Sequence, residues 1–362
     1  MFRRTALTAA ASLAVVLLAV TGCKVQVSAA DPGGASTADG ASTADGASTA
    51  GAVQAGTSGV TRAGSLIVEP GAGFSPVYSL ISGARRTIDV TMYELSDTTA
   101  EHDLAAAAKR GVRVRVILDR RARSVNSRAN SYFRSHGVAV TWSSSDYRYT
   151  HQKTVIIDGT KAVIMTANLT SRYYATSRDF LVTDTERADI SAITAVFNAD
   201  FAKKTVHPGD GNDLVWSPTD SQDQLIALIN GATSSLRIYS EEMGDRTVEN
   251  ALIKAAKRGV DVQVCGENES GEYDSAFAKL ARAGIRISYY SSSTGFYIHG
   301  KVVEADYGTA HAKIFIGSEN FSNTSLNQNR ELGLIISSRP VMSAIAGTFA
   351  SDFRNGKHWS ST

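Results

Sequence analysis

Two sets of side chains in this sequence follow one pattern. In the first, His151 and Lys153 are followed by Asp158, Thr166, Asn168 and Asp179; in the second, His299 and Lys301 are followed by Asp306, Ser318, Asn320 and Glu331. The histidines, the lysines and the first aspartates of the two sets are each 148 positions apart. The asparagines and the final acids are each 152 apart, as if four residues were inserted between the two groups. An imidazole, an ammonium, a hydroxyl and a carboxamide gathered at one spot suit a phosphate, whose non-bridging oxygens accept from such donors. The duplication has a chemical reason. Displacement at a phosphodiester needs a nucleophile on one side of phosphorus and an acid for the leaving oxygen on the other. Two half-sites facing across a pseudo-two-fold axis supply one histidine for each role.

The spacing also says which elements must hold these groups. His151 and Lys153 are two apart, the interval that puts side chains on one face of a strand. Thr166 and Asn168 are again two apart, with the next strand expected over residues 162–167. A hairpin through Asp158-Gly159 brings the two pairs side by side. Around this segment the pattern predicts strands at 67–68, 88–92, 112–118 and 138–142, and helices at 76–82, 101–109, 126–135 and 188–201. The order then recurs at the 148 offset: Ile81-Ser82-Gly83-Ala84 against Ile229-Asn230-Gly231-Ala232, Pro70 against Pro218, and Glu94 against Glu242. Ala108-Lys109-Arg110-Gly111-Val112 likewise matches Ala256-Lys257-Arg258-Gly259-Val260. A unit of this length, present twice, is a duplicated domain and not a solenoid. Alternating strands and helices predict an α/β fold of two similar lobes, each a mixed β-sheet flanked by helices, with the site between them. The lobes are expected at 65–208 and 209–362, parted by the Pro-, Gly- and Asp-bearing stretch 207–212.

Composition adds bounds. Lys plus Arg (37) nearly balances Asp plus Glu (35), so no global field favours nucleic acid. The run Arg120, Arg121, Arg123, Arg128 reads as a solvated face. With two cysteines, Cys23 beside the N-terminal apolar segment and Cys265 in an apolar strand pattern, a disulfide framework is excluded as the source of stability. Residues 1–22 read as a signal peptide: Arg3 and Arg4 precede an apolar stretch over 6–20 that is short for a membrane span. Residues 23–64, dominated by a Gly-Ala-Ser-Thr-Ala-Asp repeat, read as a flexible tether. A chain of that length and composition reaches about 35 Å r.m.s.. His102, His136, His207, His311 and His358 have no partner at the repeat offset and no metal-ligand spacing, and are read as structural or surface residues. Tyr149 and Tyr297, two positions before each site histidine, are expected to pack beside the site. Glu94 and Glu242 are expected at strand ends, offsetting the lysine charges.

At these residues the chain resembles the phospholipase D superfamily, whose signature is His-x-Lys-x4-Asp followed by Gly-Ser-x-Asn. The second copy matches in full through His299, Lys301, Asp306, Gly317, Ser318 and Asn320; the first has Met165-Thr166-Ala167-Asn168 in place of Gly-Ser-x-Asn. The resemblance covers roughly residues 65–355. It implies a two-step reaction without metal or other cofactor, through a phosphohistidine, with His151 as nucleophile and His299 as acid. Lys153, Lys301, Asn168 and Asn320 would hold phosphate oxygens, with Thr166 and Ser318 supporting them at the same phosphate site. Asp179 and Glu331 would each orient an imidazole through its other nitrogen, and Asp158 and Asp306 would tie down strand ends. The stretch ending Val20-Thr21-Gly22-Cys23 resembles the lipobox of bacterial lipoproteins, which implies a lipidated Cys23 and an extracytoplasmic, membrane-anchored or secreted protein. The expected function is a phospholipase D-type phosphodiesterase that hydrolyses or transfers phospholipid head groups. It would act as a monomer, since one chain holds both half-sites, and would need no nucleic acid. The rivals are a nuclease of the same family, a cardiolipin-synthase-like phosphatidyl transferase, and a lipoprotein that binds phosphorylated ligands without turnover.

Overall fold

Apolar runs alternate with amphipathic ones, and the apolar runs become strands covered on both faces. The computed structural model describes residues 63–360. The signal peptide, the lipidation site Cys23 and all but the last two residues of the expected tether lie outside the described residues.

The first half runs β1 (Ala63–Glu69), α1 (Ser75–Gly83), β2 (Thr87–Met92), α2 (Thr98–Lys109), β3 (Arg113–Leu118), α3 (Arg123–Ser135), β4 (Ala139–Trp142), β5 (Lys153–Ile157), β6 (Lys161–Met165), β7 (Ser177–Asp184) and α4 (Arg187–Phe201). The second runs β8 (Leu214–Ser217), α5 (Ser221–Gly231), β9 (Ser235–Ser240), α6 (Arg246–Lys257), β10 (Asp261–Glu267), α7 (Asp274–Arg282), β11 (Arg286–Tyr290), β12 (Tyr297–Ile298), β13 (Val302–Ala305), β14 (Lys313–Gly317), α8 (Asn323–Asn327), β15 (Glu331–Ile336), α9 (Arg339–Asn355) and β16 (Lys357–His358). Strand order is β1-β7-β6-β5-β2-β3-β4 in one sheet and β8-β15-β14-β13-β9-β10-β11-β16 in the other, the same order twice with β16 added at the end of the second. Both sheets are mixed: β2, β3 and β4 are parallel, as are β9, β10 and β11, and the remaining neighbours in each order are antiparallel.

Local chemistry repeats with the topology. Asp97 caps α2 by accepting from Thr99 N and Ala100 N, and Asp245 caps α6 through Thr247 N and Val248 N. Gly111 and Gly259 end these helices at φ +92° and +91°, where a side chain would be strained. The β5–β6 hairpin turns at Asp158 (φ 54°) and Gly159 (φ 64°). In the second half the corresponding loop is 306–312 against 158–160, which locates the four inserted residues.

Two outer apolar clusters lie between each sheet and its helices α1–α3 or α5–α7. A third is shared, with Phe180, Val182 and Phe197 of the first half packed among residues that include Trp216, Tyr239 and Phe349 of the second. Cys265 is buried in this shared core. Helices α2 and α3 each begin three residues before the expected start, and two further boundaries differ. β1 begins at Ala63, inside the expected tether, because Ala63 already pairs with Asp184. The strand predicted over 162–167 ends at Met165, so Thr166 and Asn168 lie just beyond it.

Candidate active site

The spacing predicts that His151 and Lys153 share a strand face, and here the structure differs. β5 starts at Lys153, and His151 belongs to an extended segment that crosses to the other half. His151 N and Gln152 N each donate to Arg330 O at 3.0 Å, and Arg330 N returns a bond to Tyr149 O at 2.9 Å. The second copy does the same in reverse. β12 pairs in parallel with β7, Tyr297 N donates to Thr176 O at 2.8 Å and His299 N to Arg178 O at 3.2 Å. Each histidine is therefore strapped to the opposite half, against the residue that precedes the opposite acid. The acids complete the exchange: His151 Nδ1 meets Glu331 Oε2 at 2.8 Å, and His299 Nδ1 meets Asp179 Oδ1 at 2.7 Å. A carboxylate at Nδ1 fixes the ring and leaves Nε2 as the reactive nitrogen.

Beneath the rings, Lys153 Nζ donates to His151 O at 2.7 Å and Lys301 Nζ to His299 O at 2.5 Å. Both lysines are buried. Burial, reinforced by the Lys301 charge, pushes Lys153 down to about 8. Burial also pushes the His151 imidazole below its usual range, against the pull of Glu331. Burial works to raise Glu331, but His151, Lys153 and the Ser325 hydroxyl hold it below the ordinary glutamate value.

The two histidines open on one cavity of about 560 Å³, which Asn168 and Asp179 also line. Its wall combines the aromatics Tyr93, Tyr173, Tyr174, Phe296 and Tyr297 with the carboxylates Glu94 and Glu241, and none of the described residues lining it is a lysine or arginine.

The resemblance places Thr166 and Ser318 at the phosphate, and the structure corrects this. Both are fully buried. Thr166 Oγ1 donates to Asp179 Oδ1 at 2.6 Å and accepts from Phe180 N at 2.9 Å, while Ser318 Oγ accepts from Leu332 N at 3.2 Å. At the ends of β6 and β14 these hydroxyls face the neighbouring strand, where they brace the segments carrying the acids. The asparagines also part company. Asn168 lines the cavity and accepts from Glu94 N at 3.3 Å, whereas Asn320 is buried and donates to Glu242 Oε1 at 3.0 Å. Asp158 and Asp306 stand away from the cavity. Asp158 accepts from the backbone N–H groups of Arg85, Arg86 and Thr87, and Asp306 from those of Thr233, Ser234 and Ser235. His102, His136, His207, His311 and His358 do not line the cavity.

The Met165 substitution has a packing explanation. In the second half Gly317 pairs with Gly333, and a Cβ on Gly317 would fall 2.3 Å from the Glu319 carboxylate and 2.9 Å from the Phe315 ring. In the first half the same positions are Met165 paired with Leu181, with Val163 and Ala167 in place of Phe315 and Glu319. The same volume is filled from different strand positions.

Three features were not read from the sequence. Arg178 makes two bonds to Asp352, at 2.7 and 2.9 Å, and Arg330 Nε lies 3.0 Å from Asp200 Oδ2. Both pairs join the halves beside the straps. Arg178 and Arg330, like Asp200 and Asp352, are 152 apart, a signal that was available. The third is Glu241. It pairs directly with Lys301 Nζ, while its neighbour Glu242, expected to offset lysine charge, feels the Lys301 charge but is raised by burial and by Glu241.

Comparison with known proteins bears on this arrangement. A family described as cardiolipin synthase, phospholipase D-like domain, matches residues 77–201 and 225–353. Cardiolipin synthase A of Pseudomonas entomophila is 25% identical over 332 residues, covering 80% of this chain and 68% of that protein. Among solved structures, polyphosphate kinase from Porphyromonas gingivalis superposes with a TM-score of 0.63 at 16% identity, over 80% of this chain and 50% of that one. Phosphatidylserine synthase of Haemophilus influenzae superposes with a TM-score of 0.60 at 11% identity, over 79% and 84%. At such identities the solved structures speak for the fold alone.

Proposed function

The chain belongs to the phospholipase D-like domain family, and from that premise we propose that it cleaves phospholipid phosphodiesters through a phosphohistidine, passing the phosphatidyl group to water or to an alcohol. One observation carries the reading: two imidazoles, each oriented by a carboxylate of the opposite half, open on one cavity. That geometry suits a nucleophile and an acid acting together at phosphorus. Asn168 is the amide that lines the cavity, and the buried Lys153 charge offsets that of a phosphate, while Lys301 is already paired with Glu241. The aromatic lining favours an apolar ester. The lack of lysine or arginine among its described lining residues counts against a polyanion such as DNA.

Transfer to an alcohol is the second reading, favoured by the cardiolipin synthase similarity over 80% of the chain. Location is proposed from residues 1–64: export and anchoring through a lipidated Cys23 would hold the site beside a bilayer. Fractionation of cells carrying Cys23→Ala against wild type decides that part.

The central test is turnover of mixed phospholipid vesicles containing phosphatidylglycerol, in EDTA, with His151→Ala and His299→Ala alongside. Phosphatidic acid with free glycerol reports hydrolysis; cardiolipin with free glycerol reports transfer. Either product is expected from wild type, with a loss on the order of 100-fold or more in each variant. No product from lipid, alongside cleavage of DNA, would overturn the lipid reading.

A further inference from the structure

Around the histidines the halves match closely, but at one position they are chemically opposed. Tyr93 and Glu241 are 148 apart, and each follows the last residue of an equivalent strand, β2 and β9. Tyr93 meets the His151 ring edge-on at 4.5 Å between centroids, and its own ring centroid lies 5.3 Å from Lys153 Nζ. Glu241 instead brings a charge. Its Oε2 pairs with Lys301 Nζ and stands 3.6 Å from His299 Nε2, and its Oε1 accepts from Tyr297 OH at 2.7 Å. Among the described residues His151 thus has one carboxylate partner, Glu331 at Nδ1. His299 has two, Asp179 at Nδ1 and Glu241 beside Nε2.

We propose that Glu241 is a positioning residue that holds a proton at His299 Nε2, the nitrogen that the family resemblance makes the acid; this rests on the phosphodiester chemistry proposed above. A carboxylate beside Nε2 favours an N–H there, which leaves that nitrogen no lone pair with which to attack phosphorus. An uncharged aromatic ring beside His151 does not, so phosphorus is presented to His151. Two further facts agree. Burial keeps His151 below the usual imidazole range, as a nucleophile requires. Burial works to raise Glu241, but His299 and Lys301 hold it well below the ordinary glutamate value, so it carries its charge.

The steps balance. The His151 Nε2 lone pair forms a bond to phosphorus as the bond to the leaving oxygen breaks, and that oxygen takes the proton from His299 Nε2 and departs as an alcohol. Neutral His299 Nε2 then takes a proton from water or an acceptor alcohol while its oxygen bonds to phosphorus. The N–P electron pair returns to His151, and the proton is again beside Glu241.

The test compares two substrates that differ only in how much their leaving group needs a proton: phosphatidylethanol and phosphatidyl-p-nitrophenol in the same non-ionic detergent micelles. Without that proton the ethyl ester would have to expel a strongly basic alkoxide, whereas the aryl ester expels a weakly basic phenolate. Glu241→Gln is expected to lower kcat on the ethyl ester about 100-fold and on the aryl ester about threefold, with Glu241→Asp recovering part of the difference. Aryl-ester turnover shows that the variant is folded. Equal losses on both esters would mean a structural role and overturn the proposal. No loss, or a lower KM on both, would mean that the carboxylate merely occupies the phosphate seat, and would overturn it as well. If wild type turns over neither ester, the phosphodiesterase reading fails and the proposal with it.

Discussion

His151, Lys153 and their counterparts act as a set because burial and charge have already been applied to them. Lys153 is the clearest case for a pH dependence. Burial and the Lys301 charge bring it down to about 8, so it is an ammonium at neutral pH and loses its proton as pH rises through that value. A neutral amine no longer offsets phosphate charge. kcat/KM, which reports groups of the free enzyme, is therefore expected to fall on the alkaline side of about pH 8. A profile still flat a full unit above that pH would remove Lys153 from charge stabilisation. The residue scale is also where sequence reading went astray. Thr166 and Ser318 have hydroxyls of the right kind, but they are spent on Asp179 and on the backbone of Leu332.

At the scale of elements, the paired strands β14 and β15 show how one framework carries two packings. Gly317 and Gly333 admit Phe315 and Glu319, where the first half uses Met165 and Leu181. Glu319 is fully buried, with the backbone N–H groups of Ser318 and Glu319 beside its carboxyl. Burial, with the Glu331 charge nearby, raises it well above its ordinary value of 4.5. The folded state therefore keeps this proton where the unfolded chain releases it, and stability falls as pH rises above 4.5. Glu319→Gln is expected to remove that component. Its urea midpoint should gain on wild type as pH goes from below 4.5 toward neutrality, and parallel midpoints across that window would show the group is not titrating as described.

The whole molecule is tied by exchange. Each histidine takes its carboxylate and its backbone anchor from across the interface, beside an Arg–Asp pair that spans it, so the lobes that share a core also share a site. Arg330 is fully buried between Asp200 and the Tyr147 ring, and its carbonyl holds His151. Removing one member of a buried pair strands the other charge, typically at about 3–5 kcal/mol. Arg330→Met is expected to lower unfolding stability by that order and to reduce turnover even when folded, because the strap loosens. Chemical denaturation with assay of the folded fraction separates the two effects; unchanged stability would place Asp200 in contact with water.

The sequence by itself determined the duplication, the α/β alternation, the histidine and lysine motifs and the family, because each is written as residue type at fixed spacing along one chain. The 148 and 152 offsets even implied the four-residue insertion that the structure places between β13 and β14. Tertiary structure alone decided which acid serves which histidine, since His151 and Glu331 are 180 positions apart and His299 and Asp179 are 120 apart. It also decided where Thr166, Ser318 and Asn320 point, and that Glu241 stands where the other half has Tyr93. These are matters of strand register and of two surfaces meeting, where an ångström separates a phosphate donor from a buried brace, and no local spacing encodes that distance.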